Sequence, residues 1–167
     1  MINLIACVTT FKNKLAIGRN NDLLFKLKDD MEFFKNITTN SLSSVSKINK
    51  NIVLMGRKTW FSIPNKFRPL SNRINLILTN DIKLINSNVV PKDLETVDNC
   101  VYFINMEMFK KIYRDYNPNV FVIGGSDIYN YFLKNKELSV DKIYLTHVQT
   151  KNLTNVKFDV ILNQTNS

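Results

Sequence analysis

Apolar runs and amphipathic stretches alternate along the chain, and this alternation predicts an α/β protein. Buried strands are predicted at 1–10, 51–55, 73–79, 88–90 (the weakest), 100–104, 120–123 and 142–149. Helices are predicted at 28–38, 57–63, 106–116 and 127–134. Strands that alternate with helices favour a central sheet that is mixed, mostly parallel and flanked by helices.

Two polar segments separate the predicted elements. Residues 11–27 have no clear period and are predicted to form one long loop, and loops of this length in compact domains are often functional. Residues 40–50 are rich in Ser, Asn and Lys and are predicted to form an exposed insertion. Because no repeat or low-complexity linker divides the 167 residues, we expect a single domain over 1–167.

The amino-acid composition excludes several classes of function. The sequence holds only 4 glycines, and it contains neither a G-x-G-x-x-G turn nor a G-x-x-x-x-G-K-[ST] loop. Two cysteines and one histidine cannot form a disulfide framework or the usual four-ligand zinc site, so no metal site is expected. Each of the few glycines is expected to hold a backbone position that other residues cannot take.

The net charge of +9 raises the question of a polyanionic partner. The lysines are scattered and form neither a basic helix nor a basic stripe with aromatic residues. We therefore interpret the excess as compositional, with attraction of a phosphorylated cofactor as a modest additional effect. The sequence has no apolar run as long as a membrane span and no basic leader, so a cytoplasmic protein is expected.

A strand, a glycine and a helix follow one another at two places, 51–59 (NIVLMGRKT) and 120–126 (VFVIGGS). A helix N-terminus presents free N–H groups and about half a positive charge, which suits phosphate. Either motif alone is more simply explained as a tight turn. The pair, with adjacent Arg and Lys in the first motif, favours a site for a dinucleotide.

A carboxylate interrupts the apolar face of the first predicted helix. Asp30 falls at helical spacing with the apolar residues of that face, Leu27, Met31, Phe34 and Ile37. A buried ionised carboxylate is costly unless it has a partner, and no basic residue shares the face. Asp30 could instead complement the helix dipole, but Asp29 can already do so. We therefore favour a ligand-binding role for Asp30.

Three other side chains have simpler interpretations from the sequence alone. Arg73 begins a strand and could grip a carboxylate with two hydrogen bonds, but standing alone it is interpreted as a solvated surface arginine. His147, in the last predicted strand, is interpreted as structural or exposed rather than catalytic. Trp60 is predicted to pack in the core.

Taken together, these pieces resemble dihydrofolate reductases of the chromosomal type. The resemblance runs from Met1 to about Gln149, in the order and at the spacing of that family. The segments that carry it are 1–8 (MINLIACV), 15–23 (LAIGRNNDL), 30–35 (DMEFFK), 53–64 (VLMGRKTWFSIP), 68–75 (RPLSNRIN) and 122–129 (VIGGSDIY).

The resemblance implies the fold of that family and the NADPH-dependent reduction of 7,8-dihydrofolate to 5,6,7,8-tetrahydrofolate. This oxidoreductase activity supports one-carbon and thymidylate metabolism and is a target of antifolates. The implied partners are dihydrofolate and antifolates, and we expect neither a membrane nor a specific nucleic-acid partner. The chain is expected to be a monomer, or to be fused to or associated with thymidylate synthase. Residues from about 51 to 119 would form the adenosine-binding lobe.

The resemblance also implies roles for single residues. Asp30 would hydrogen-bond the pterin ring, Arg73 would grip the α-carboxylate of the glutamate tail, and Thr146 would tie Asp30 to the substrate. The implied catalytic residues are Asp30, Phe25 and Thr146. The implied substrate-binding residues are Ile5, Cys7, Asp30, Met31, Phe34, Ile63, Leu70, Arg73, Ile123 and Thr146. The implied cofactor-binding residues are Cys7, Ile17, Gly18, Arg57, Lys58, Thr59, Thr79, Asn80, Ile123, Gly124, Gly125, Ser126, Asp127, Ile128 and Tyr129. A cis peptide bond is implied between Gly124 and Gly125.

The sequence departs from the family pattern at several places. Leu24-Phe25 stands where Pro-Trp is usual, and a phenylalanine cannot supply the indole N–H that would hold an active-site water. Lys28 replaces a common proline, and Asp127 stands where many bacterial members carry an arginine. The chain is also expected to lack the family's closing β-hairpin after 149, which would leave strand 142–149 as an exposed edge.

Two alternative functions fit parts of the sequence. The missing hairpin and Phe25 are compatible with a non-catalytic or truncated remnant that binds folate or NADPH. A related NADPH reductase of a riboflavin precursor would share the fold. The combination of Asp30 with Arg73 favours folate over the riboflavin precursor, and turnover separates an enzyme from a remnant.

Overall fold

The computed structural model describes residues 1–11, 14–17, 28–40, 44–86, 101–148 and 160–162, with the side chains of all of these except 9–11, 14–17, 28–30, 148 and 160–162. The strands are β1 (Ile2–Phe11), β2 (Lys14–Ile17), β3 (Ile52–Gly56), β4 (Ile74–Leu78), β5 (Val101–Ile104), β6 (Val120–Val122), β7 (Lys142–Val148) and β8 (Val160–Leu162). The helices are α1 (Lys28–Asn40), α2 (Arg57–Ser62), α3 (Met106–Tyr116) and α4 (Ser126–Lys134), with one 3-10 turn at Asn65–Phe67. None of the described helices is long and apolar enough to cross a membrane.

Six of the strands form a parallel sheet in the order β5-β4-β3-β6-β1-β7. Strand β2 runs antiparallel to the last residues of β1, and β8 runs antiparallel to β2. This confirms the predicted sheet, which is mixed, mostly parallel and flanked by helices. Because β1, β6, β3 and β4 are adjacent and parallel, their carboxyl ends lie at one edge of the sheet.

Helices cover both faces of this sheet, which explains why its strands are almost continuously apolar. Alternate residues of β1 belong to opposite core clusters, Leu4 to the first and Ile5 to the second. The first cluster packs against α3 and α4, with Phe109 fully buried. The second includes Phe34 of α1 and Trp60 of α2, so the predicted core position of Trp60 is confirmed. The second cluster lies on the face that carries most of the predicted substrate-binding residues.

The structure corrects two predictions. The prediction of one long loop at 11–27 is wrong for residues 14–17, which form β2 and pair antiparallel with β1. A strand of four residues gives little local signal in the sequence. Strand 142–149 was predicted to be the last, but β8 follows it in the chain. The weak strand at 88–90 lies outside the described residues. Most of the chain after 149, on which the expected loss of the hairpin depends, also lies outside them.

The predicted helices are confirmed, with small shifts of their ends. Helix α1 continues to Asn40, two residues beyond its predicted end. The prediction of an exposed insertion at 40–50 is wrong for Ile48, which is buried in the first core cluster. Helix α2 ends at Ser62, and α4 begins at Ser126. Among the described strands β7 pairs with β1 alone, and its Ile143 and Leu145 side chains are 52 % and 47 % exposed, as expected for an edge strand.

Candidate active site

The two strand–glycine–helix motifs meet at the carboxyl edge of the parallel sheet. Strands β3 and β6 are neighbours, and the Gly56 N–H donates to the Gly124 carbonyl oxygen over 2.8 Å. Gly124 has a φ of 125°, a conformation that residues with a side chain rarely adopt. The Gly124–Gly125 peptide bond is cis, which confirms that expectation from the resemblance. Backbone groups therefore form the part of the sheet edge where α/β proteins bind ligands.

Gly56 and Gly125 allow the starts of α2 and α4 to lie close to each other. A Cβ atom on Gly56 would lie 3.3 Å from Ile128 Cγ1, and one on Gly125 would lie 3.4 Å from Thr59 Oγ1. The N-cap residues of α2 and α4 are Gly56 and Gly125, which have no side chain to accept hydrogen bonds from the first N–H groups of these helices. Such N–H groups hydrogen-bond phosphate oxygens well. These residues therefore fit a phosphorylated cofactor.

Charged and hydroxyl side chains surround the ends of β3 and β4, which pair up to their last residues. Arg57 and Lys58 begin α2 and are exposed. The Arg57 Nη1 atom lies 3.3 Å from Asp81 Oδ2 in a surface ion pair. The Thr79 hydroxyl accepts a hydrogen bond from the Asp81 N–H over 3.0 Å, and Asn80 between them is exposed. The structure thus brings together the predicted cofactor residues of 57–59 and 79–80.

Tyr129 connects the glycine edge to β1. Its hydroxyl donates to the Ile5 carbonyl oxygen over 2.8 Å, and its side chain is 2 % exposed. Burial raises the pKa of the Tyr129 phenol well above its ordinary value, and the nearby Cys7 adds to that shift. The phenol therefore stays protonated and acts as a donor. This bond holds α4 beside Ile5 and Cys7, two residues predicted to line the site.

Arg73 is buried beside the second core cluster, although it precedes β4 on a turn. Its side chain is 4 % exposed. Its Nη1 donates to the Thr38 hydroxyl over 2.8 Å, and its Nε donates to the Ser71 carbonyl oxygen over 2.8 Å. The guanidinium carbon lies 5.7 Å from the centre of the Phe34 ring. The interpretation of Arg73 as a solvated surface arginine is therefore wrong.

The charge of Arg73 has no acidic partner among the described residues, whose ion pairs all involve other side chains. Burial lowers the pKa of the Arg73 guanidinium to about 10, and the group is still cationic at neutral pH. Only two of its five N–H groups are used within the described part of the protein. A buried charge without a counter-ion is costly, so this arrangement favours an anionic ligand that supplies a carboxylate.

A buried asparagine fixes the turn that carries Arg73. The Asn75 Oδ1 atom accepts from the Leu70 N–H over 2.9 Å. Its Nδ2 group donates to the carbonyl oxygens of Leu70 and Arg73, over 3.0 and 3.1 Å. Asn72, within the turn, adopts a left-handed conformation with a φ of 58°. Asn75 belongs to the segment 68–75 that carries the family resemblance, but this positioning role was not predicted for it, although an amide within the apolar run of β4 was a usable signal.

Thr38, the acceptor for Arg73, is held by a chain of three buried asparagines. The Asn51 Nδ2 group donates to the Thr38 carbonyl oxygen over 3.0 Å. Asn119 donates to Asn51 over 3.2 Å, and Asn3 donates to Asn119 over 2.8 Å. This chain links α1 to β3, β6 and β1, and it fixes the height of α1 above the sheet. None of these four residues was assigned a role from the sequence.

An apolar surface joins the Arg73 turn to the glycine edge. One core cluster contains six of the predicted substrate-binding residues, Ile5, Cys7, Phe34, Ile63, Leu70 and Ile123. Met31, on α1, is partly buried. Thr146 pairs with Cys7 in the register of β7 and β1, so the two residues lie on the same face of the sheet. The structure therefore assembles most of the predicted substrate site on one face.

Several predicted residues are not tested by the geometry. Asp30 lies in the first turn of α1, one turn before Phe34, and its side chain lies outside the described residues. Phe25 and Gly18 lie outside them entirely, and only the backbone of Ile17 is described, within β2. Their roles remain predictions.

The remaining chemistry of the described residues is sparse. His147 is exposed on β7, and no group of three His, Cys, Asp or Glu side chains in the described ranges could hold a metal ion. Ser126, Asp127 and Ile128 form the first turn of α4 beside the glycine edge, with Asp127 exposed. The chemistry available at this site is thus hydrogen bonding, charge and apolar contact.

Comparison with known proteins agrees with this geometry. The family model for dihydrofolate reductase matches residues 1–166. The chain is 31 % identical over 162 residues to the dihydrofolate reductase of Candida albicans, covering 96 % of this chain and 76 % of that protein. It is 36 % identical over 143 residues to that of Schistosoma mansoni, covering 84 % and 70 % respectively. It is also 35 % identical over 151 residues to a bifunctional dihydrofolate reductase-thymidylate synthase of Arabidopsis thaliana, covering 86 % of this chain and 26 % of that protein.

The structural comparison gives the same result. The solved Schistosoma mansoni dihydrofolate reductase superposes with a TM-score of 0.62 at 28 % identity, covering 94 % of this chain and 78 % of that one. These matches favour neither a non-catalytic remnant nor a riboflavin-pathway reductase. The chain therefore belongs to the dihydrofolate reductase family, and its reaction is the NADPH-dependent reduction of 7,8-dihydrofolate to 5,6,7,8-tetrahydrofolate.

Proposed function

We propose that this reduction takes place in one cleft, with NADPH held along the glycine edge and dihydrofolate held between the apolar cluster and Arg73. The observation that carries this assignment is the buried Arg73 guanidinium, which has no carboxylate partner among the described residues. A substrate that ends in a carboxylate supplies that partner. The cost of burying the charge is then offset only when the substrate is bound.

Arg73 grips the α-carboxylate of the glutamate tail in this proposal. Its bonds to Thr38 and Ser71 fix the guanidinium plane, and the N–H groups that remain can hold a carboxylate with two hydrogen bonds. The Phe34 ring beside it offers an apolar surface for the aminobenzoyl group, which precedes the glutamate in the substrate. Met31, Ile63 and Leu70 complete the apolar walls around that group.

Asp30 binds the pterin ring in this proposal. It precedes Phe34 by one helical turn, so it shares the face of α1 that packs on the apolar cluster. Its carboxylate accepts hydrogen bonds from the 2-amino group and the neighbouring ring nitrogen, and it raises the basicity of the atom to be protonated. Water supplies the proton. Thr146 links Asp30 to the substrate, and Phe25 contributes an apolar contact but no N–H group.

The cofactor residues form a line along the carboxyl edge of the sheet. When bound, NADPH supplies the hydride. Arg57, Lys58, Thr59, Thr79 and Asn80 hold its adenosine phosphate side, and Gly124 and Gly125 let its diphosphate approach the backbone. The residues that flank its nicotinamide side and the start of α4 are Cys7, Ile17, Gly18, Ile123, Ser126, Asp127, Ile128 and Tyr129. In this proposal these residues position the cofactor through non-covalent contacts and exclude water.

The proposal extends to the organisation of the chain. Residues 1–167 form one domain, in which residues from about 51 to 119 bind the adenosine side of the cofactor. The chain acts in the cytoplasm as a monomer, or as the reductase part of an assembly with thymidylate synthase. The match to the bifunctional Arabidopsis thaliana protein supports the second possibility. The mass of the native protein in a cell extract decides between the two.

The assignment of Asp30 is tested by turnover. Purified wild-type protein is expected to oxidise NADPH only when dihydrofolate is added, followed by the loss of NADPH absorbance. Asp30→Ala is expected to abolish this turnover, because the pterin ring loses its charged partner. Asp29→Ala is the matched control, since it removes a neighbouring carboxylate of the same helix turn, and it is expected to keep most of the activity. Equal losses in the two variants would show that Asp30 has no specific role.

A further inference from the structure

A surface ion pair stands where the ends of β3 and β4 meet. Arg57 follows the last residue of β3, and Asp81 lies three residues beyond the end of β4. Their Nη1 and Oδ2 atoms are 3.3 Å apart, and the two side chains are 46 % and 39 % exposed. An exposed ion pair of this kind contributes little to stability, so either partner can readily exchange for a stronger one.

The position of this pair along the sheet edge gives it access to a dinucleotide. Gly124 follows β6, Arg57 follows β3 and Asp81 follows β4, and these three strands are consecutive neighbours in the sheet. Neighbouring strands are about 4.8 Å apart, so a ligand that starts at the glycines reaches the ion pair after about 10 Å. That is less than the length of an extended dinucleotide, so a cofactor that runs from the glycines toward β4, as in the proposed site, places its adenosine ribose near Arg57 and Asp81.

We propose that Asp81 is a specificity-determining residue, which competes with the 2′-phosphate of the cofactor for Arg57. This inference rests on the proposed cofactor site. Arginine binds phosphate with several hydrogen bonds, whereas a carboxylate near the ribose favours a free 2′-hydroxyl group and repels a 2′-phosphate. Arg57 thus favours binding of the dinucleotide that carries a 2′-phosphate, and Asp81 disfavours it. Asp81 therefore reduces the preference for NADPH over NADH.

The side-chain contacts of Asp81 define the substitution that tests this role. Its Oδ1 atom accepts a hydrogen bond from the Lys83 N–H over 3.1 Å, and its Oδ2 atom faces Arg57. Asp81→Asn keeps an oxygen for the Lys83 N–H and removes the negative charge. Asp115→Asn is the matched control, because Asp115 forms an ion pair of the same 3.3 Å length with Arg114 on α3.

The experiment measures binding to the full-length protein rather than turnover. Dissociation constants for NADPH and NADH are obtained from protein fluorescence, and the constant for adenosine 2′,5′-bisphosphate from calorimetry. Asp81→Asn is expected to bind NADPH and the bisphosphate about two- to fivefold more tightly, the range expected for an exposed charge pair. NADH affinity is expected to stay unchanged or fall. The gain is expected to shrink at high salt, and Asp115→Asn is expected to match the wild type.

Three outcomes would overturn the inference. Asp81→Asn could leave the NADPH to NADH ratio unchanged, or it could weaken NADPH binding, which would mean that Asp81 positions Arg57 rather than competing for it. Asp115→Asn could raise the affinity for NADPH as much as Asp81→Asn does, which would mean that the effect comes from the net charge of the protein. If the wild type binds neither NADPH nor the bisphosphate, the proposed cofactor site fails as well. Arg57→Gln separates these cases, since it is expected to lose the preference for NADPH whatever Asp81 does.

Discussion

The Arg73 guanidinium has hydrogen-bond acceptors beside it but no acidic partner among the described residues. Thr38 and Ser71 accept two of its hydrogen bonds, and the Phe34 ring lies beside it. Thr38 also donates to the Phe34 carbonyl oxygen over 2.7 Å. This bond to the helix backbone orients the hydroxyl so that its oxygen can accept from Arg73. This order of hydrogen bonds orients Arg73 before a ligand binds, which reduces the entropy lost on binding.

Replacing the hydroxyl of Thr38 tests this orientation. Thr38→Val keeps the shape of the side chain and leaves a buried guanidinium N–H without its acceptor, so it is expected to destabilise the fold by about 1–3 kcal/mol. The KM for dihydrofolate is expected to rise, while the dissociation constant for NADPH stays near the wild-type value. Urea unfolding and steady-state kinetics measure the two effects.

Thr39→Val is the matched control for that substitution. The Thr39 hydroxyl oxygen is buried and has no hydrogen-bond partner among the described residues. Its removal is therefore expected to be neutral or stabilising and to leave the KM for dihydrofolate unchanged. Equal effects of the two substitutions would contradict the role given to Thr38.

At the scale of single residues, the sequence alone did not predict the burial of Arg73, and the reason is physical. Arg73 is buried by Thr38, which lies 35 residues away, and by a turn fixed by Asn75. Neither contact leaves a local pattern in the sequence, so Arg73 by itself indicates a solvated side chain. The role proposed for Arg73 came from the resemblance to a family.

The glycine edge, where the cofactor is proposed to bind, is formed by two short turns between a strand and a helix. Their glycines permit the contact between the Gly56 N–H and the Gly124 carbonyl oxygen, and this contact joins the ends of β3 and β6. The positions differ in backbone conformation. Gly124 has a φ of 125°, whereas Gly125 has a φ of −87°, which any residue adopts.

Alanine substitutions are expected to separate these two positions. Gly124→Ala places a Cβ atom on a backbone conformation that L-residues rarely adopt, and is expected to cost about 1–3 kcal/mol of stability. Gly125→Ala adds a Cβ atom at ordinary van der Waals distance from Thr59 Oγ1 and is expected to cost less. Chemical unfolding of both variants measures the difference. The account of this edge would be wrong if Gly124→Ala were as stable as Gly125→Ala.

Elements are where the sequence predicts best. The central parallel strands β1, β3, β4 and β6 are apolar runs buried on both faces, and both glycine turns follow such runs, so local pattern predicts them. Strand β2 was missed because it has four residues that pair with β1 and β8, and so short a strand leaves little local pattern in the sequence. Strand β8 was missed for a similar reason, because it is short and pairs with β2, which lies far away in the chain.

In the whole molecule, the proposed site lies on the face of the second core cluster and at the carboxyl edge of the sheet. Helices on both faces fix the strands, and the site draws on β1, α1, the turns after β3 and β6, and the turn before β4. The net charge of +9 gave little information about this site. The informative charge is that of Arg73, which is buried, and the net charge of the sequence does not reveal it.

The most direct test of this account is the kcat/KM of wild type and Arg73→Lys on two substrates, dihydrofolate and 7,8-dihydropteroate, which lacks the glutamate tail. Loss of a two-bond, charge-assisted contact costs about 1.5–3 kcal/mol, so Arg73→Lys is expected to lower kcat/KM for dihydrofolate about tenfold or more.

The same substitution is expected to leave kcat/KM for dihydropteroate and the affinity for NADPH near wild type. Arg68→Lys, in the same turn region, serves as the control and is expected to affect both substrates alike. The central claim would be contradicted by equal losses on both substrates in Arg73→Lys, or by wild-type protein that does not oxidise NADPH when dihydrofolate is present.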